Sequence, residues 1–143
     1  MITDNTYKTI LAALKDNKSI SLSIPFTSEE RTISNVVGVI KGINSSLPPL
    51  YITAHFDHLG SDGAGNLYGG ALDNASGTAF MLELARTFST YVKPNRDIVF
   101  VALNAEELGL LGSKNFAENN ILDLKGSQVI NFYMVGSADT PIT

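Results

Sequence analysis

From Ile98 to Leu103 the chain reads Ile-Val-Phe-Val-Ala-Leu. A near-continuous apolar run of this length is the mark of a strand buried on both faces. The segments around it alternate in kind. Leu50-Tyr51-Ile52-Thr53-Ala54 is a further strand, reached through a loop that begins at Gly42 and ends in the stiff Pro48-Pro49 pair. Ser76-Gly77 opens a helix in which Ala79, Phe80, Leu82, Leu84, Ala85 and Phe88 supply a broad apolar face, and Pro94 stops it. Glu106 to Glu118 reads as a weak helix interrupted by Gly109 and Gly112, and Val129 to Val135 as the last strand. This alternation predicts the α/β class: a three-layer sandwich with a central mixed, mostly parallel sheet flanked by helices. Sites in such sheets form beyond the carboxyl ends of the strands, where His55, Glu106 and Tyr133 all fall.

The N-terminal part is plainer. Tyr7, Ile10, Leu11 and Leu14 recur at helical spacing between Asp4 and Asn17, with Thr3 or Asp4 as the cap. Ile20, Leu22 and Ile24 alternate with serines up to Pro25, the pattern of a half-buried or edge strand. Val36, Val37, Val39 and Ile40 form another. Residues 1–30 therefore read as a linker-like helix and strand, and residues 31–143 as the main domain.

Composition removes several function classes. With 143 residues, 44% hydrophobic and 17% charged, the chain is of the size and make-up of one globular domain with a real core. A net charge of -4 and the absence of any basic cluster make nucleic acid a poor partner. No apolar run approaches the roughly 20 residues that span a bilayer, and no basic segment followed by an apolar run marks the N-terminus, so no membrane partner and no address is expected. There is no cysteine, so any metal must be held by His, Asp or Glu.

Those residue types are clustered. In a strand, residues two apart share a face, so Asp57 is placed to accept the second N–H of the His55 imidazole and fix its tautomer. Asp73 lies between a glycine-rich loop, Leu59 to Gly70, and a helix start. An Asp there normally caps free N–H groups, but Ser76 is equally placed to cap, which leaves Asp73 for a metal. Glu106 and Glu107 follow the buried strand and project in different directions, as a metal ligand and a base require. Each piece has a structural reading: a polar strand end, a helix cap, a solvated first helical turn. Their order along one chain is what points to metal-assisted hydrolysis.

The blocks Ala54-His55-Phe56-Asp57-His58-Leu59-Gly60, Gly70-Ala71-Leu72-Asp73-Asn74-Ala75-Ser76-Gly77, Ala105-Glu106-Glu107-Leu108-Gly109-Leu110-Leu111-Gly112-Ser113 and Asn131-Phe132-Tyr133-Met134-Val135-Gly136 occur in the order found in a known family. The chain resembles the co-catalytic zinc exopeptidases, which include bacterial leucine aminopeptidases and plasma glutamate carboxypeptidases, from about Ser34 to Gly136. The resemblance implies two zinc ions, with His55 binding one, Asp73 bridging both and Glu107 binding the other. Asp57 would support His55, and Glu106 would be the general base that takes a proton from the attacking water and passes it to the leaving amine. It also implies a peptide substrate, a cis peptide between Asp73 and Asn74, an extracytoplasmic or secreted setting, and residues 1–30 as the junction with an absent protease-associated domain.

The chain departs from the pattern in two ways. Tyr133 stands where the family has an Asp ligand, and a phenol is a poor replacement for a carboxylate. A histidine that the family supplies far towards the C-terminus has no counterpart, since the chain's histidines are His55 and His58. The catalytic domain therefore reads as partial, truncated at its C-terminal side, with weak zinc binding and little turnover. His58, otherwise a loop residue, and Asp139 are the groups left to make up the deficit. Rival readings are a glutaminyl cyclase or carboxypeptidase on the same scaffold, a non-catalytic binding module, and self-association through exposed sheet edges.

Overall fold

A computed structural model describes residues 3–21, 23–119 and 124–137. Contacts divide the chain into two compact units, Met1–Arg31 and Thr32–Thr143.

In the first unit, α1 (Asp4–Lys15) begins as its sequence implies: the Thr3 side chain accepts from the Thr6 N–H at 3.2 Å, and Asp4 lies in the positively polarised first turn. The helix buries none of its residues. The strand expected over Ile20 to Ile24 does not form among its described residues, where Ile24 is 67% exposed. Alternation marks two faces but supplies no partner, and a strand needs a neighbour for its backbone N–H and C=O groups.

The second unit is built on a four-stranded sheet of β1 (Val36–Ile40), β2 (Leu50–His55), β5 (Ile98–Leu103) and β6 (Gln128–Asn131), in the order β1-β5-β2-β6. β2 runs parallel to both β5 and β6, and β1 is antiparallel to β5. Between β2 and the second helix, Gly60–Ser61 and Leu67–Tyr68 pair as a small hairpin, β3 and β4, inside the glycine-rich loop. Asp62 shapes its turn by accepting from the N–H groups of Ala64 and Asn66.

The apolar run explains the layers. On one face of the sheet Ile52 and Ala54 of β2 and Ile98 and Phe100 of β5 are buried against Met81, with Leu84, Ala85 and Phe88, all from α2 (Gly77–Tyr91). On the other face Tyr51, Val99 and Val101 are buried with Phe116 of α3 (Leu111–Glu118), whose ring meets Tyr51 edge-on at 6.0 Å. Successive residues of β5 thus pack alternately against α2 and α3. The result is the mixed α/β sheet flanked by helices that the pattern predicts.

Two boundaries differ from expectation. The helix read from Glu106 begins only at Leu111, because Ala105 and Leu110 take positive φ (53° and 63°) and turn the backbone between them. A left-handed conformation in a residue with a Cβ costs roughly 1–2 kcal/mol, which sets Glu106 and Glu107 in a turn instead of a regular first helical turn. The last strand, read to Val135, stops at Asn131, where the chain bends towards α2. Among the described residues no helix is long and apolar enough to cross a membrane.

Phe116→Ala removes the ring that α3 packs on the sheet and is expected to cost about 3–5 kcal/mol in urea unfolding. Phe26→Ser, at a residue 84% exposed, is expected to change stability by less than about 0.5 kcal/mol.

Candidate metal centre

The parallel strands β2, β5 and β6 end side by side, and the groups singled out in the sequence gather there. His55 closes β2, opposite Leu103 at the end of β5. Phe56 N–H donates to the Leu103 carbonyl at 3.0 Å, so the chain after β2 is tied to the chain after β5. β6 is held alongside by Thr53 Oγ1, which donates to Asn131 Oδ1 at 2.8 Å.

Asp57 completes that tie in an unexpected manner. Its carboxylate accepts the N–H of Glu106 at 3.1 Å and of Glu107 at 3.2 Å. The His55 ring instead presents Nδ1 to the backbone carbonyl of Asp57 at 3.1 Å, with the nearer carboxylate oxygen at 3.6 Å. The pleat argument that put the carboxylate on the imidazole fails because β2 ends at His55, so Asp57 lies outside the strand. Asp57 still bears on the imidazole, and it also fixes the backbone of both glutamates.

Asp73 is delivered from the opposite side by the irregular turn Ala71–Ser76, whose Asp73 and Asn74 depart from helical angles and are joined by a cis peptide. Asn74 anchors the turn. Its Nδ2 donates to the carbonyls of His55 (3.3 Å) and Phe132 (3.0 Å), and its Oδ1 accepts from the N–H of Gly77 (3.2 Å) and Met134 (3.0 Å). Both donors and both acceptor positions of this buried amide are therefore used. The close approach requires Gly77, since a Cβ there would stand 2.5 Å from the Phe132 carbonyl. Ser76, expected as the helix cap, instead donates to the Leu72 carbonyl and accepts from Val135 N–H, and Asn74 takes the helix N–H.

Around Asp73 the side chains converge. His55 Nε2 lies 3.1 Å from Asp73 Oδ1, and Tyr133 donates its hydroxyl to Asp73 Oδ2 at 3.3 Å while its ring lies 5.6 Å from that of His55. His58 Nδ1 lies 2.8 Å from Glu107 Oε1. Donor atoms of His58, Asp73 and Glu107 all fall within 4.8 Å of one another. Glu106 lines a cavity of about 330 Å³ that His55 and Tyr133 also line, with Tyr51, Leu103, Phe116 and Val129 among its apolar walls. The two adjacent glutamates thus face different spaces. Asp139 lies outside the described residues.

The donor set fits a divalent cation. Nδ1 of His55 faces the Asp57 carbonyl and Nε2 faces Asp73 Oδ1 at 3.1 Å, so a ring that keeps its proton on Nδ1 turns the Nε2 lone pair towards the space beside Asp73. Imidazoles and carboxylates gathered in this way suit zinc.

Tyr133 acts here as a donor. Its pKa is pushed above the ordinary tyrosine value, first by burial, then by the charge of Asp73 and the hydrogen bond to it, with Glu106 and Glu107 adding further negative charge. The roles of His58 and Asn74 were not legible from spacing, because His58 lies in a loop and an Asn before a helix reads as a cap.

Residues 35–143 match the model of peptidase family M28. The chain is 38% identical over 130 residues to aminopeptidase YwaD of Bacillus subtilis, a match covering 88% of this chain and 27% of that protein. It is 42% identical over 113 residues to a probable zinc metalloprotease of Pyrenophora teres f. teres, covering 74% of this chain and 23% of that one. The structure of LapB from Legionella pneumophila is similar with a TM-score of 0.59 and 36% identity, over 73% of this chain and 28% of that chain. The chain thus spans about a quarter of the length of these relatives.

Asn74→Ala leaves the Phe132 carbonyl and the N–H groups of Gly77 and Met134 without this partner, while Thr78 Oγ1 still donates to the His55 carbonyl, and is expected to destabilise the fold by roughly 3 kcal/mol or more in urea unfolding. For Tyr133 the raised pKa favours the protonated form in the fold. Its contribution is therefore complete below the ordinary tyrosine value and is lost as pH rises through the folded value. The difference in ultraviolet titration between wild type and Tyr133→Phe is expected to show phenolate only above about pH 10. A phenolate forming below that pH would contradict the assigned hydrogen bond.

Proposed function

The chain belongs to peptidase family M28, and we propose that it is the metal-binding part of a zinc-dependent exopeptidase that removes N-terminal residues from peptides. The observation that carries this reading is the meeting of two imidazoles and two carboxylates around Asp73, with a third carboxylate, Glu106, left facing a cavity. The names of its relatives, an aminopeptidase and a probable zinc metalloprotease, support the same chemistry.

In this reading His55, Asp73 and Glu107 would hold zinc, with Asp73 standing between the His55 side and the Glu107 side of the cluster. Bound zinc would lower the pKa of water and polarise the scissile carbonyl. The protein's own part is then positional and acid–base. Glu106, its backbone fixed by Asp57, takes the proton of the attacking water on a carboxylate oxygen and returns it to the nitrogen of the leaving amine. Asp57 keeps the proton on His55 Nδ1 through its carbonyl, so that Nε2 presents its lone pair to the metal. Tyr133 puts a phenol where the family pattern has a carboxylate, which would lower the negative charge available to one metal position, and slow turnover in this chain is the expected consequence.

The test uses the purified chain with zinc and a chromogenic leucine amide, alongside N-blocked and free-amine peptides. Slow, zinc-dependent release from free-amine substrates only is expected, increased at least about 10-fold by Tyr133→Asp and reduced on the order of 100-fold or more by Glu106→Gln. Release from N-blocked peptides would identify a carboxypeptidase-type relative instead. If neither wild type nor Tyr133→Asp shows zinc-dependent release, the enzymatic reading fails and a binding module on this scaffold replaces it.

A further inference from the structure

We propose that His58 is a metal ligand and that His58, Asp73 and Glu107 form the tighter of the two metal positions in this chain, an inference that rests on the zinc-peptidase reading above. The family resemblance assigns His58 no role, and among the described residues it names Asp73 and Glu107 as donors to the position they share. The geometry supplies a third. Donor atoms of His58, Asp73 and Glu107 all lie within 4.8 Å of one another, and Nδ1 of His58 is turned to Glu107 Oε1 at 2.8 Å. These side chains are neither buried nor free, with 23%, 29% and 19% of the surface of His58, Asp73 and Glu107 exposed, so an ion can enter and exchange with solvent.

The imidazole is also held in place from behind. Gly70 passes so close to the ring that a Cβ at this residue would stand 2.9 Å from His58 Cγ, and Gly70 has φ +64, which an L side chain adopts only under strain. The glycine that ends the long loop therefore does two things: it turns the chain into the Asp73 turn, and it makes the seat for His58. On the other side of Glu107, its backbone N–H is fixed by Asp57. Each of the three donors is thus positioned by a neighbour of its own, Gly70 for His58, Asn74 for the turn that carries Asp73, and Asp57 for Glu107.

The two positions differ in what they offer. On the His55 side, Asp73 and one imidazole are joined by a phenol whose hydroxyl donates to Asp73 Oδ2. On the His58 side there are two carboxylates and one imidazole, the three-donor set with an open place that catalytic zinc requires. The first zinc equivalent therefore goes to His58, Asp73 and Glu107.

Zinc affinity of the whole chain is measured by competition with a chromophoric chelator, for wild type, His58→Gln, His55→Gln, Asp73→Asn and Glu107→Gln. Loss of a supporting partner of a ligand costs 10–100-fold in metal affinity, so loss of a ligand in His58→Gln is expected to weaken the tighter site on the order of 100-fold, as Asp73→Asn and Glu107→Gln do. His55→Gln should change it less than about 10-fold. Because the chain has two histidines, a second readout needs no variant: ring-nitrogen NMR of the wild type, assigned through the backbone, should show the His58 imidazole altered at the first zinc equivalent. A His58 ring unaltered at that point, or full affinity in a folded His58→Gln, overturns the inference. In that case affinity lost in Asp73→Asn and Glu107→Gln leaves the zinc-peptidase reading standing. Affinity unchanged in those two variants removes both.

Discussion

The site depends on one side-chain amide. Asn74 is 1% exposed, and it bonds to the backbone at the end of β2, at the end of β6 and at the start of α2. Each of these chain ends would otherwise bring unpaired N–H or C=O groups into a buried junction, at about 1–3 kcal/mol for each group left without a partner. No smaller side chain reaches all of them, and no carboxylate could donate to two carbonyls. The bend that Asn74 imposes carries its neighbour Asp73 out of helical geometry and over the strand ends, where it meets His55 and Tyr133. Thr78, one turn into α2, reinforces the same junction by donating to the His55 carbonyl at 2.8 Å.

A second division of labour concerns the acidic groups. Asp57, Asp73, Glu106 and Glu107 crowd one end of the sheet, and like charges at short range repel. Asp57 is spent on two backbone N–H groups, so its charge is met by dipoles of the Glu106-Glu107 turn. Asp73 and Glu107 each face an imidazole, and Glu106 lines the adjoining cavity with His55 and Tyr133. The adjacent glutamates can point apart because the residues flanking them, Ala105 and Leu110, take left-handed backbone angles. A regular helix start at Glu106 would have left both in a solvated first turn.

Much of this was legible in the sequence wherever hydrophobic burial decides the outcome. The Ile98–Leu103 strand, the Leu50–His55 strand and the Gly77–Tyr91 helix are each specified by a strong apolar pattern with a clear stop. Spacing failed where the backbone leaves regular structure. Asp57 was placed by the two-residue period of a strand that had already ended, and Ser76 by a capping rule that Asn74 satisfies instead. His58 could not be oriented at all, since a loop has no period, and only the close seat at Gly70 shows which way the ring faces. The alternating segment Ile20 to Ile24 failed for a different reason: a one-sided pattern says which residues would be buried without showing that a neighbouring strand exists to bury them.

Tyr133 shows how a single exchange changes the balance of such a site. A carboxylate there would add a charge beside Asp73 and compete with it for cations and donors. The phenol adds no charge at neutral pH and satisfies one lone pair of Asp73 by donating to Oδ2. That hydrogen bond occupies Asp73 Oδ2 on the Tyr133 side, while on the other side Glu107 and His58 are held against each other at 2.8 Å. With a hydroxyl donor facing Asp73 on one side and the Glu107 carboxylate on the other, a divalent cation would be drawn more strongly towards the side on which the negative charge is concentrated.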